Sequence, residues 1–407
     1  MTTTAPQTPR LSPLAWARRH LFRTWGDTVI TVVAAVVVGY VVYRFANFVF
    51  VTGRWEIIRV NLSLFIVGLY DRDELWRPAL ALIVTGGLGG LVAGVVRRRQ
   101  LFAGSADPDR PLGERLVDLA GRLWPAVLAV LLLLMMATTI TPWLVVAATI
   151  AAAIVFRLIG ERLPRRALAP VVVVVIATMF FMVWLLAQGV GWDEWGGLML
   201  NVFLAAVSIT LCFPLGVLLA LGRRSKLPLI RAISTAYIEL FRGVPLIVLL
   251  FMVNNTLGFF MPGDYDPSSV LRAIVVFTLF TAAYVAEIVR GGLQSVPRGQ
   301  VEAGQALGMS PVRITFLIVL PQALRNVIPA LVGQFISLFK DTTLAGAAMG
   351  FLELLQTAEA VTRFPDFSGQ GLIAETLVFV TFIFWVGSYT MSRESQRLEH
   401  KLGVGTR

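Results

Sequence analysis

Apolar residues fall in long runs, and the charges collect in the short segments between them. Runs near 28–50, 79–96, 124–141, 143–159, 169–188, 198–222, 237–260, 270–290, 315–340 and 372–392 are each about long enough to cross a bilayer as a helix. A spanning helix satisfies its backbone polar groups within itself, whereas a barrel strand would alternate apolar with polar positions. The stretch 169–187 shows no such alternation. The pattern predicts an all-α membrane protein of about ten transmembrane helices, with ends placed to within a few residues.

Composition agrees: 57% of the 407 residues are hydrophobic and 14% charged, where a soluble chain is roughly a quarter charged. The net charge of +11 would suit nucleic acid if it formed a patch. Instead the basic residues lie in short loops beside the runs, where they orient helices. Nucleic acid is therefore not an expected partner; the lipid bilayer is. With ten spans, Arg18, Arg19 and Arg23, Arg97–Arg99, Arg162, Arg165 and Arg166, Arg223 and Arg224, Arg298 and Arg313, and Arg393 and Arg397 all fall on one side. The opposite side includes 188–195 and 262–269, which lack Lys and Arg. Both termini and the 302–308 loop are then expected in the cytoplasm. The exception is 51–78, with Arg54, Arg59, Arg72 and Arg77 outside. Residues 55–70 are amphipathic with interfacial Trp and Tyr, and are expected to lie along the outer surface. The first run is too long for a signal-peptide core and shows no obvious cleavage site, so it reads as a retained anchor.

The chain divides near 192–197. A cytoplasmic tail (1–27) precedes a transmembrane extension of about five helices (28–192), poor in polar residues. The second half (193–392) is rich in Gly, Pro, Thr, Asn and paired charges, and reads as the working part; a cytoplasmic loop near 297–313 lies within it, and a tail (393–407) follows.

Several chemistries find no support. There is no G-x-x-x-x-G-K-[ST] loop, so the chain is not expected to hydrolyse ATP. The two histidines, His20 and His400, lie in tails, and no metal site or catalytic constellation is expected. The single cysteine, Cys212, reads as a buried hydrophobe.

The polar stretch 302–321, EAGQALGMSPVRITFLIVLP, is the most informative. Residues 301–307 are helix-forming, Gly308 breaks them, and Ser310-Pro311 can begin a second helix. Small Ala303, Gly304 and Ala306 would let a partner approach, and Glu302 supplies an anchoring charge. Elsewhere, Glu287 and Arg290 lie three apart on one helix face and can pair. They read as a structural ion pair or as lining of a polar path. Lys340-Asp341, followed by Thr342-Thr343, either fixes helix depth or lines that path; Asn254-Asn255 either packs helices or adds hydrogen bonds to it. Pro245, Pro321 and Pro329 can interrupt helices. Glu239 and Arg242 are open between capping, ion pairing and gating.

Glu302-Ala303-Gly304, three residues, Gly308, nine residues, then Ile318-Val319-Leu320-Pro321 resembles the coupling loop of ABC importer permeases, E-A-A, three residues, G, nine residues, I-x-L-P. Gly304 stands where that pattern has Ala, which loosens the helix by roughly 1 kcal/mol. The run 237–246, YIELFRGVPL, resembles E-x-F-R-G-T-P-L of polar amino-acid importers, with Val244 for Thr. The run 282–300, AAYVAEIVRGGLQSVPRGQ, and 338–344, LFKDTTL, are similar to further segments of that family. The long N-terminal extension and the C-terminal tail resemble the general L-amino-acid branch of Gram-negative bacteria. The resemblance covers about 197–400. It implies that the last five helices form an ABC type I importer permease core in the bacterial cytoplasmic (inner) membrane. It implies ATPase coupling through Glu302, Ala303, Gly304, Leu307 and Gly308. A pathway is expected to involve Asn254, Asn255, Glu287, Lys340, Asp341, Thr342 and Thr343, with Glu239, Arg242, Pro245 and Arg290 as gate or structural residues. Implied partners are two ATPase subunits carrying ATP and Mg, a second permease subunit (paralogue or self), and a periplasmic amino-acid-binding protein. No cofactor is expected in this chain.

Overall fold

The computed structural model describes residues 12–102, 111–262 and 267–402. These residues form helices and two isolated bridges, Gly68 with Trp195 and Gly197 with Glu353. The chain separates into two compact units, 1–55 and 56–407.

In the first unit, α1 (Pro13–His20) precedes α2 (Trp25–Asn47). A capping box starts α2: the Thr24 hydroxyl accepts from the Asp27 N–H at 3.1 Å, and the Asp27 carboxylate accepts from the Thr24 N–H at 3.2 Å. The Trp55 indole N–H then donates to the Val49 carbonyl at 2.9 Å, closing the turn after the helix.

The second unit begins with short helices α3 (Glu56–Val60) and α4 (Leu62–Val67). Next come α5 (Trp76–Phe102), α6 (Leu112–Arg122), α7 (Trp124–Met136), α8 (Thr141–Arg162) and α9 (Leu168–Ala187). Helices α10 (Gly197–Arg223), α11 (Pro228–Gly243), α12 (Leu246–Phe260) and α13 (Ser269–Ser295) follow. Then come α14 (Arg298–Ala306), α15 (Pro311–Ile314), α16 (Leu320–Asp341), α17 (Leu344–Met349), α18 (Leu354–Val361) and α19 (Ile373–Leu402). Among the described residues, eight helical stretches are long and apolar enough to span a membrane, or ten if two bent pairs each count as one span.

One bent pair corrects the sequence reading. The run 237–260 is not one continuous helix: α11 and α12 meet at 101°. Proline at 245 pushes Val244 into extended backbone (φ −108°, ψ 137°), which no helix can continue through. The other pair, α6 and α7, meets at 87°. Residues 55–70 also differ from expectation, because they are built into the protein. Ile57, Ile58 and Phe65 are fully buried, Phe65 stacks edge-on against Phe379 of α19, and the Tyr70 hydroxyl donates to the Leu186 carbonyl at 2.9 Å.

Small residues set the helix contacts. On α5, a Cβ at Gly86 would lie 2.6 Å from the Thr149 methyl of α8, and one at Gly90 would overlap the Ala153 carbonyl. This small-xxx-small face lets two backbones meet where no hydrophobic drive separates helix from lipid. The central core is α13 against α10 and α16. A Cβ at Gly216 would sit 2.5 Å from a Val285 methyl, and one at Gly292 would sit 2.6 Å from the Ala323 carbonyl. On α19, Gly387 receives the Phe339 ring of α16, and Trp385 and Tyr389 meet Trp124 of α7.

Candidate coupling loop and polar clusters

Helix α14 ends where Gly308 adopts φ +72°. The Met309 N–H donates to the Gly304 carbonyl at 3.1 Å and the Gly308 N–H to the Gln305 carbonyl at 2.9 Å. These two bonds make a Schellman stop, which wants glycine at this position. Ser310 then caps α15, its hydroxyl accepting from the Arg313 N–H at 3.4 Å, with Pro311 in the first turn. The result is a helix, a tight turn and a second helix that passes through a π turn (Thr315–Val319) into α16.

Glu302, Ala303, Leu307 and Gly308 are exposed, and Leu307 is 79% exposed although apolar. Gly304 departs from that face and corrects the expectation that it admits a partner. It is buried, and a Cβ there would lie 2.9 Å from Ile314 and 3.2 Å from Ile318. Its smallness serves the seating of α14 on α15 and on the π turn that leads into α16. The loop is also tied to α16 by the Gln322 amide, which donates to the Gln300 side-chain oxygen of α14 at 3.4 Å, and the Asn326 amide of α16 donates to the Ser295 hydroxyl at the end of α13 at 2.9 Å.

The remaining candidates fall into two groups. Glu287 is the centre of one. Its carboxylate lies 2.6 Å from Arg223 of α10, 2.8 Å from Arg290 and 3.8 Å from Arg242 of α11. Arg223 also reaches Glu239 at 2.8 Å. Glu287 therefore belongs with Glu239, Arg242 and Arg290, and not with the other pathway candidates. The proposed Glu287–Arg290 pair is present, inside a larger network joining α10, α11 and α13.

The second group lies at the other end of α10. Asn201 and Arg223 are separated along that helix by about 33 Å, at 1.5 Å per residue. The Asn201 amide donates to the Thr342 hydroxyl at 3.0 Å and to the Glu353 carboxylate at 3.1 Å, and its oxygen accepts the Leu354 N–H at 3.0 Å. Glu353 also caps α18, accepting the N–H groups of Leu355 and Gln356 at 2.9 Å each. Asn201, Thr342 and Glu353 are wholly buried. Burial pushes the Glu353 carboxyl above its ordinary range, while those N–H donors and Asn201 pull it back. Asn201 and Glu353 were missed in the sequence. The signal available was a lone Asn in an apolar run and a lone acid before an apolar helix. Asn254 donates weakly to the Ala348 carbonyl at 3.5 Å, and Asn255 bonds back to Phe251 within its own helix. Lys340 is exposed, Asp341 half-buried, and the Thr343 hydroxyl donates to the Lys340 carbonyl at 2.9 Å. Pro245 marks the break before α12.

Residues 212–402 match the family described as binding-protein-dependent transport system inner membrane component. The inner membrane amino-acid ABC transporter permease protein YhdY of Escherichia coli K12 is 32% identical, over 96% of this chain and 94% of its own length. The glutamate/glutamine/aspartate/asparagine transport system permease protein BztC of Rhodobacter capsulatus is 34% identical, over 86% of this chain and 78% of its own. A solved structure, described as an amino acid ABC transporter with histidines, covers 56% of this chain and 97% of its own at 26% identity and TM-score 0.45. With a relative matched along nearly its whole length, the chain belongs to the family of binding-protein-dependent transport system inner membrane components, the multi-pass permease subunits of ABC transporters.

Proposed function

We propose that this permease imports polar or general L-amino acids across the bacterial cytoplasmic membrane by alternating access. Energy would enter at the exposed face of α14. The observation that carries the reading is that face: Glu302, Ala303 and Leu307 point outward and are held by the Gly308 stop between α14 and α15. A pair of ATPase subunits carrying ATP and Mg would dock there, since this sequence has no phosphate-binding loop of its own. A periplasmic amino-acid-binding protein would deliver substrate, and a second permease copy or paralogue would complete the pore. The printed activities of YhdY and BztC support the substrate class. The basic loops favour placing both termini and the loop in the cytoplasm.

Nucleotide-driven closure of the ATPases would bias the permease between outward- and inward-open states, a two-state equilibrium that the loop transmits. Asn254, Asn255, Lys340, Asp341, Thr342 and Thr343 are proposed as the polar path, and Glu287 with its arginines as a brace at the coupling end.

The test is uptake of labelled L-amino acids in cells carrying the whole system, comparing wild type with Gly308→Asp and Glu302→Lys. Membrane insertion and ATPase co-purification are followed in parallel. Normal insertion with lost uptake and lost co-purification supports the reading. Unchanged uptake in both variants removes the loop from the transmission path.

A further inference from the structure

Between residues 1 and 43 the only acid is Asp27, against Arg10, Arg18, Arg19 and Arg23. The Asp27 carboxylate is already engaged in the capping box of α2, where it accepts the Thr24 N–H. Among the described residues, Arg18, Arg19 and Arg23 are exposed and have no carboxylate partner. Large apolar side chains stand among these cations. Leu14 is 80% exposed and Trp25 82%, and Trp16, Leu21 and Phe22 are exposed as well. By helical spacing, Ala15, Arg18 and Arg19 share one sector of α1, while Leu14, Ala17, the capping residue Leu21 and the stacked rings of Trp16 and His20 lie outside it.

The turn after α1 fixes where this surface lies. The Thr31 hydroxyl donates to the Leu21 carbonyl at 2.8 Å, so the chain folds back beside α2 instead of extending it. Thr31 lies about 9 Å along α2 from Trp25, at 1.5 Å per residue. The helical stretch Trp25–Thr52 has 28 residues and is about 42 Å long, which matches a bilayer with both headgroup layers included. As a span, its first turns cross the headgroup layer, and Leu21 is held where headgroups give way to acyl chains. A cationic segment with Trp, Phe and Leu at that level is suited to lie in the interface.

We propose that α1 and its turn form an interfacial anchor that binds anionic phospholipid. Arg18, Arg19 and Arg23 take the headgroup phosphates, and Leu14, Leu21 and Phe22 enter the layer beneath. Guanidinium groups match phosphate oxygens in geometry as well as charge. Trp16 and Trp25 carry amphipathic rings of the kind that settle at headgroup level. The anchor would fix the depth of α2, whatever the permease carries.

The experiment uses the full chain in lipid nanodiscs, with a spin label on Ala17→Cys; the native Cys212 is buried. Depth is read from the label's relative accessibility to oxygen and to an aqueous nickel chelate. Discs containing phosphatidylglycerol are compared with discs of phosphatidylcholine alone, and with phosphatidylcholine discs given inorganic phosphate. The label should sit deep with phosphatidylglycerol. The ratio of surface-bound to free α1 should fall roughly a hundredfold in phosphatidylcholine, with or without phosphate. Arg18→Gln, Arg19→Gln and Arg23→Gln together should abolish the response to phosphatidylglycerol. Equal depth in the two lipids overturns the proposal. So does a response reproduced by inorganic phosphate, or one that survives the triple substitution. If the triple variant does not insert, the comparison of lipids in the labelled parent decides alone.

Discussion

Gly308 stands in the left-handed region with nothing within 4 Å of where a Cβ would be. Its requirement is therefore conformational and not steric. Gly308→Ala should lower stability by about 1–2 kcal/mol, and Gly308→Asn by less, because Asn tolerates that region. Denaturation of the purified protein checks the order of the two variants. Glu353 gives the second prediction at this scale. Its folded-state proton affinity is raised by burial, so the folded protein holds the proton more tightly than the unfolded chain. Stability from this group is fully present below the ordinary carboxylate range and is lost as pH rises through the window up to the raised value. Melting temperatures followed upward in pH from the ordinary carboxylate range should carry this falling component in wild type, and Glu353→Gln should remove it. A wild-type curve that rises through the window would contradict the sign. The residues involved show where sequence reading stops. Gly308 declared itself through its neighbours in the chain, the helix before and Ser310-Pro311 after. Asn201 and Glu353 lie 152 positions apart, and only their packing together makes either one notable.

Among the helices, the α5–α8 contact offers an internal control. Adjacent glycines on α5 differ completely in surroundings: Gly89 has nothing within 4 Å, while a Cβ at Gly90 would overlap the Ala153 carbonyl. Gly89→Leu should be tolerated and Gly90→Leu should not, costing about 1–3 kcal/mol from overpacking. Yield of monodisperse protein from the membrane would separate them. The Glu287 network makes a similar contrast. Glu287→Gln leaves Arg223, Arg242 and Arg290 facing one another, a loss of about 1–3 kcal/mol once their partial exposure is allowed for. Glu239 is 57% exposed in its pair with Arg223, and Glu239→Gln should cost at most about 1 kcal/mol. A double-mutant cycle in thermal denaturation measures both. At this scale the apolar runs foretold the long helices well, because length and hydropathy alone decide whether a helix can cross lipid. The break between α11 and α12 was written in Gly243-Val244-Pro245, but apolar residues on both sides of it hid a change of direction that hydropathy does not register.

Across the whole molecule, the segment 56–75 links the early helices to the later ones. Gly68 bridges Trp195, Tyr70 bonds Leu186, and Phe65 packs on Phe379. Removing residues 1–55, a compact unit on its own, should leave the remainder folded. A chain begun at Gly196 would expose the surfaces that Ile57, Ile58 and Phe65 cover, and should aggregate or be degraded. Limited proteolysis and size-exclusion profiles of the two truncated proteins check this. The amphipathic pattern of 55–70 was visible in the sequence, but an apolar face looks the same whether it will meet lipid or protein.

The inward turn of Gly304 bears on how force would be shared. Because α14 follows α13 after only two extended residues, Val296 and Pro297, and rests through Gly304 on Ile314 and Ile318, a load on its outer face has two bearings. One lies along the chain into α13, and the other passes across the contact into α16. Neither helix could tilt alone without opening that seat, so in the proposed transport cycle the unit that would rock is the pair. A bulky residue at 304 would act as a shim between them, leaving the outer face intact while spoiling the stroke.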